Sequence, residues 1–164
     1  MHTIKIRHHF DAAHRLSNYI GKCSNIHGHS FMVDVEIESK GLTANDMVAD
    51  FARIKGVINT LDHKILLNDC LKNGELIDLL DSKMSLASLT FDCEPTAENI
   101  AKYLHQCIKR HIKPSNQLLN PFDNLIKQKV KGMLPTKSQH NKYKPIVLKV
   151  TVWESPDCSA SYSE

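Results

Sequence analysis

The ten residues SFMVDVEIES, 30–39, alternate apolar and acidic from Val33 to Glu38: Phe31, Val33, Val35 and Ile37 fall on one parity, Asp34, Glu36 and Glu38 on the other. Successive side chains of a strand point to opposite faces, so the pattern describes a half-buried antiparallel strand with one face on a core and one in water. Any fold containing it must cover the apolar face. Two segments offer the cover. From Asp50 onward, Phe51, Ile54, Ile58, Leu61 and Ile65 recur at three and four residues, which predicts a helix ending near LDHK, 61–64. A second helix is expected in EPTAENIAKYLHQCIKRH, 94–111, with Thr96 as N-cap, Glu98 in the first turn, and Ile100, Leu104, Cys107 and Ile108 on the inner face.

Further strands are expected at both ends of the chain. Residues 3–10 place Ile4, Ile6 and Phe10 on one parity, and PIVLKVTVWE, 145–154, does the same with Ile146, Leu148, Val150 and Val152. CSASYS, 158–163, can pair back onto that last strand through the SPD turn. The order strand, strand, helix, helix, strand, strand is that of an α+β domain. Residues 68–93, with a helical turn at GELIDLL, and residues 113–145, rich in Pro, Asn, Ser and Lys, fit the plan poorly and read as insertions between core elements of one domain spanning 1–164.

Composition narrows the function classes. A chain of 164 residues can bury one sizeable core. Twenty-one basic and 18 acidic residues leave a net charge of +3 with no basic stripe, which argues against a nucleic-acid partner. No apolar run approaches the roughly 20 residues of a membrane span, and MHTIKIRHHF lacks the apolar stretch of a secretory leader. Five cysteines without a CxxC pair suit a reducing compartment. The expectation is a cytoplasmic protein.

The chemistry concentrates in CSNIHGHSF, 23–31. On an extended chain, His27 and His29 face one side, on the inward parity of Phe31 and Val33, with Gly28 leaving room for backbone between them. His14 shares the parity of Ile4, Ile6 and Phe10, so two neighbouring strands can bring three imidazoles together. Three neutral nitrogens with one open position are the donor set of a catalytic zinc ion. Spacing alone leaves two other readings open: hydrogen-bonded core histidines, and a closed structural site with Cys23 as fourth ligand. Asp62 and His63 read equally well as a proton-carrying pair or as a favourable helix C-terminus. Glu154 closes the inward row of the last long strand, where a carboxylate needs donors.

Six motifs in order, FDAAHRL (10–16), CSNIHGHSF (23–31), DFARIK (50–55), LDHKILLND (61–69), PTAEN (95–99) and VTVWE (150–154), resemble the 6-pyruvoyltetrahydropterin synthase superfamily from end to end of the core. The three residues between Cys23 and His27 are similar to the spacing in its carboxy-forming bacterial branch, which serves queuosine biosynthesis. The resemblance implies a tunnelling fold: a four-stranded antiparallel sheet with two helices on one side, assembled into trimeric barrels that stack as a homohexamer with active sites between subunits. It further implies Zn²⁺ on His14, His27 and His29, Cys23 as catalytic base, Asp62 and His63 as a proton relay, and Glu154 as pterin anchor and relay member, with Thr96 and Glu98 also touching the pterin.

The activity so implied is a lyase that converts 7,8-dihydroneopterin triphosphate to 6-carboxy-5,6,7,8-tetrahydropterin, acetaldehyde and triphosphate. A pyruvoyl-forming synthase, or a related pterin side-chain lyase, is the nearest alternative. A noncatalytic zinc-stabilised assembly module is the alternative from another class.

Overall fold

The computed structural model describes residues 1–69, 71–84, 86–112 and 143–164. Most of the segment expected as a second insertion, 113–145, lies outside the described residues. Among these, six strands form one mixed sheet in the order β4-β3-β1-β2-β5-β6. The strands are β1 (His2–His14), β2 (His27–Ser39), β3 (Lys64–Asn68), β4 (Ser88–Phe91), β5 (Ile146–Ser155) and β6 (Cys158–Tyr162). The helices are α1 (Phe51–Ile58), α2 (Leu71–Asp78), which runs into a π-helical turn at Leu79–Lys83, and α3 (Ala97–His111).

The four strands expected from alternation and from the SPD turn are present and antiparallel: β1 pairs with β2, β2 with β5, and β5 with β6. A sheet of only four antiparallel strands is corrected by β3 and β4, which add in parallel beyond β1. Parallel neighbours cannot be joined by a hairpin, and α2 supplies the crossover between them. Residues 68–93 therefore hold sheet and helix together. Ile65, assigned from its spacing to the first helix, sits in β3, and α1 stops at Ile58, before Asp62 and His63.

One face of the sheet carries the core. Ile6 and Phe10 of β1, Phe31, Val33, Val35 and Ile37 of β2, and Val147, Val150 and Val152 of β5 pack against Ile54, Val57 and Ile58 of α1 and Ile100, Ala101, Leu104 and Ile108 of α3. Both helices are capped as their sequences require. Asp50 accepts from the Ala52 N–H at 2.8 Å and Thr96 from the Asn99 N–H at 3.4 Å. Phe51, expected on the apolar face of α1, stands at its first position and is exposed.

The expected inward row of β5 holds for Val150 and Val152 and fails before them. The register slips between Glu36 and Ile37, so that Ile37 pairs with Val147. Such a bulge exchanges the faces of every residue beyond it. Val147 is buried, whereas Ile146 is 53% exposed. Opposite the core, the sheet carries charge: Arg7 holds Asp34 through two hydrogen bonds of 2.6 and 2.8 Å, and the Trp153 indole N–H donates to Asp34 at 3.2 Å.

Candidate active site

β1 ends and β2 begins at the same place, and the histidines are there. His14 pairs directly with His27, and Ala12 with His29, so the three imidazoles occupy one cross-strand pair and its diagonal neighbour. Ring centroids lie 4.5 Å apart for His14 and His27 and 5.1 Å for His29 with each of the others. One ligand atom from each falls within 4.8 Å of the other two, and among the described residues this is the set that could hold a metal. The floor is aromatic. Phe31 meets His14 and His29 edge-on at 5.6 and 5.3 Å and stacks on Phe10 at 4.9 Å.

Orientation of the rings is built into the chain. The Nδ1 of His14 is 2.8 Å from the Pro95 carbonyl, and that of His27 is 2.9 Å from the Asn25 carbonyl. A nitrogen that donates to a carbonyl leaves the other nitrogen as the acceptor, the tautomer a metal requires. His14 is 2% exposed, and its Nε2 is buried without a hydrogen-bond partner. Such an atom costs free energy unless something fills its lone pair. Burial pushes the His14 imidazole below the ordinary histidine range against the Pro95 hydrogen bond; His27 and His29 add to the effect and the nearby Glu154 opposes it. The deprotonated state that metals bind is favoured. The donor set and the orphaned Nε2 fit a zinc ion.

Cys23 is not part of the ligand cluster. It lies in a short 3₁₀ turn, Lys22–Ser24, in the loop joining His14 to His27, with its carbonyl accepting the Leu16 N–H at 2.8 Å. Gly21 opens that turn at φ 156°, and a Cβ there would meet the Tyr19 ring at 2.7 Å, so the turn needs glycine. Gly28 differs: an added Cβ would approach the Ala12 carbonyl at an ordinary 3.5 Å, so space within the chain does not demand glycine between the two histidines.

Asp62 and His63 occupy the turn between α1 and β3. Adjacent though they are, their side chains meet, His63 Nδ1 to Asp62 Oδ2, at 2.9 Å. The backbone of β1 fixes both: the Asp11 N–H donates to Asp62 at 2.9 Å, and the His63 N–H donates to the Asp11 carbonyl at 2.7 Å. His63 adopts φ 57°, a left-handed conformation that costs a non-glycine residue free energy. The Asp11 N–H, more than His63, holds the Asp62 carboxyl below its ordinary range despite some desolvation. The His63 side chain is 79% exposed, so its other ring nitrogen faces outward.

Glu154 follows Trp153 near the end of β5 and lines an open cavity of about 590 Å³ with Arg7, Ser30, Met32, Trp153, Ser155 and Pro156. Thr96 and Glu98 stand at the start of α3, where Thr96 caps the helix and Glu98 lies in its first turn. Alternation and spacing did not single out Glu94, Asn68, Asn73 and Ser17. The Glu94 carboxylate accepts from the Ser17 and Asn18 N–H groups at 2.9 and 3.0 Å and from Asn68 Nδ2 at 3.0 Å, while Asn73 Nδ2 donates to the Ser17 hydroxyl at 2.7 Å. Their one sequence signal is polar residues beside apolar strands.

Residues 3–120 match the family model described as 6-pyruvoyl tetrahydropterin synthase. The chain belongs to that family. Among curated relatives, the 6-carboxy-5,6,7,8-tetrahydropterin synthase of Aquifex aeolicus is 28% identical over 151 residues, covering 88% of this chain and 78% of the relative. The enzyme of the same name from Haemophilus influenzae is 30% identical over 108 residues, 61% of this chain and 77% of its own. The 6-pyruvoyl tetrahydropterin synthase structure from Caenorhabditis elegans superposes with a TM-score of 0.54 at 22% identity, covering 99% of this chain and 94% of that one. That likeness establishes the fold of the 6-pyruvoyl tetrahydropterin synthase family for this α+β chain.

Proposed function

We propose that this chain is a zinc-dependent pterin lyase that converts 7,8-dihydroneopterin triphosphate and water to 6-carboxy-5,6,7,8-tetrahydropterin, acetaldehyde and triphosphate, a step of 7-deazapurine (queuosine) biosynthesis. The observation that carries the reading is the convergence of His14, His27 and His29 within 4.8 Å while Cys23 stays outside the set. Three protein ligands leave a position for substrate, whereas a structural zinc site is closed by four. This separation favours catalysis over a purely structural module. The names of the Aquifex and Haemophilus relatives, and the short Cys23–His27 spacing, favour the carboxy-forming product over the pyruvoyl-forming one.

His14, His27 and His29 would hold the zinc, whose Lewis acidity polarises hydroxyl oxygens of a bound side chain. Cys23, in the loop that joins His14 to His27, removes a carbon-bound proton from that side chain as general base. Asp62 accepts from His63 and keeps the imidazole in one orientation, so that its outer nitrogen passes the proton on. Glu154 accepts from the two-donor edge of the pterin, the 2-amino group and N3–H, and joins the proton relay. Thr96 and Glu98 border the ring.

The exposed His63 requires a surface to work against. A second copy of the chain supplies it in this reading, in a homohexamer of two trimeric barrels with sites between subunits. No helix among the described residues is long and apolar enough to cross a membrane, and the charge balance gives no reason for a nucleic-acid partner. The reading places the enzyme in the cytoplasm. Acetaldehyde release, followed by coupled reduction with alcohol dehydrogenase and NADH, is the discriminating assay. Stoichiometric acetaldehyde supports the carboxy-forming reaction, and triphosphate release without acetaldehyde would replace it with the pyruvoyl-forming one.

A further inference from the structure

Residues 94 and 95 hold His14 and the start of the loop that follows it. The Pro95 carbonyl accepts from His14 Nδ1 at 2.8 Å, and the Glu94 carboxylate accepts from the consecutive backbone N–H groups of Ser17 and Asn18 at 2.9 and 3.0 Å. Ser17 and Asn18 open the loop that leaves His14 and returns to His27. In the same turn, the Leu16 N–H donates to the Cys23 carbonyl at 2.8 Å and the Tyr19 N–H to the Leu16 carbonyl at 3.2 Å. One carboxylate therefore fixes the stretch to which the thiol-bearing turn is tied.

The clamp is itself braced. The Glu94 carbonyl accepts from the Thr96 N–H at 2.8 Å and from Asn99 Nδ2 at 2.9 Å, which locks the residue to the first turn of α3. Asn68, at the end of β3, donates to the carboxylate at 3.0 Å, and Asn73 of α2 joins Asn68 and Ser17 at 2.8 and 2.7 Å. Hydrogen bonds from backbone N–H to an ionised acceptor are among the stronger ones a chain can make. No residue of the Cys23 turn itself is buried.

We infer that Glu94 is a positioning residue, whose carboxylate fixes the 15–24 loop between His14 and His27 and so sets the placement of the Cys23 turn that the loop carries. The role rests on the reading of Cys23 as the base, and it assigns Glu94 no contact with substrate. Its chemical requirement is specific. A glutamine has one acceptor oxygen, so in the same place its amide would confront either the Ser17 N–H or the pair formed by the Asn18 N–H and Asn68 Nδ2.

The test compares wild type with Glu94→Gln, and with Asn68→Ala as a milder variant that removes one donor to the carboxylate. Zinc content, the alkylation rate of Cys23 by iodoacetamide resolved at the peptide level, and steady-state kinetics are measured on each. Exposed Cys158, at the β5–β6 turn, is the internal control. The expected result for Glu94→Gln is full zinc, a Cys23 alkylation rate changed about fivefold or more with Cys158 unchanged, and kcat reduced about tenfold or more at similar KM. Asn68→Ala should move the same readouts in the same direction by less. If wild type fails to turn over the pterin while Glu94→Gln still alters Cys23 selectively, the proposed reaction is wrong and the positioning role stands. Unchanged Cys23 reactivity in folded Glu94→Gln would overturn the inference, as would loss of zinc from that variant, which would make the segment a support for His14 instead. Should Glu94→Gln not fold, an unchanged Cys23 rate in Asn68→Ala would overturn it equally.

Discussion

His14 and His27 are direct partners across the β1–β2 ladder, and their imidazole centroids lie 4.5 Å apart. Strand pairing holds three imidazoles close together, two of them oriented by backbone carbonyls; in the proposed three-ligand zinc site, removal of one ligand should release the ion. His27→Ala and His29→Ala are each expected to lose most of one zinc per chain, measured by elemental analysis after dialysis. Full stoichiometric zinc in both would remove these residues from the ligand set.

Cys23 should behave differently because it stands outside that set. Cys23→Ala is expected to keep its zinc and its melting temperature while losing turnover by ~10²–10⁴-fold, the usual contribution of a positioned general base. Zinc lost together with activity would instead indicate a four-ligand structural site.

For Glu154 the expected effect is on pterin affinity. In the proposed reading, Glu154→Gln sets a donor in place of one acceptor oxygen against the pterin's own donors, and a mismatched polar contact of this kind costs on the order of 1–3 kcal/mol. Titration should show binding weakened about tenfold or more, and saturating turnover should also fall because an amide cannot carry a relayed proton. If neither changes, Glu154 faces solvent.

The Arg7–Asp34–Trp153 cluster should give stability a pH dependence of known sign. The Arg7 hydrogen bond, against some desolvation, holds the Asp34 carboxyl below its ordinary range. Its folded value is depressed, so the stabilisation is fully present above the unfolded value near ~4 and is lost as pH falls through the folded value. Solvent screening limits it to about 0.5–1 kcal/mol. Denaturant unfolding of wild type and Asp34→Asn should differ by that amount at pH 7 and converge toward pH 2; a gap that widens on acidification would reverse the assignment.

The parts of this fold that sequence makes legible are those where one local pattern decides. Val33 to Glu38 alternate cleanly because β2 has core on one face and water on the other, and the same parity carried His27, His29 and His14 to one point. β3 and β4 were hidden for the converse reason: KILLN and SLTF are too short for alternation to separate a strand from a buried helical turn. The bulge opposite Glu36 and Ile37 inverted the apparent order of Ile146 and Val147, which no periodicity across it can reveal. The contact between Asp62 and His63 is accompanied by a left-handed backbone at His63, which adjacency in sequence does not reveal. Glu94 acts on Ser17 and Asn18 across 77 and 76 positions of sequence, a separation at which only the folded chain brings them together.

In the proposed reaction, the three-histidine site and Cys23 together cleave a pterin side chain. The most direct test is incubation of the zinc-loaded protein with 7,8-dihydroneopterin triphosphate, with mass spectrometry of the pterin and a chelator-treated sample in parallel. The expected result is 6-carboxy-5,6,7,8-tetrahydropterin in the zinc-loaded sample and intact substrate in both the chelated sample and Cys23→Ala. Substrate left unchanged by folded, zinc-loaded wild type would contradict that reaction.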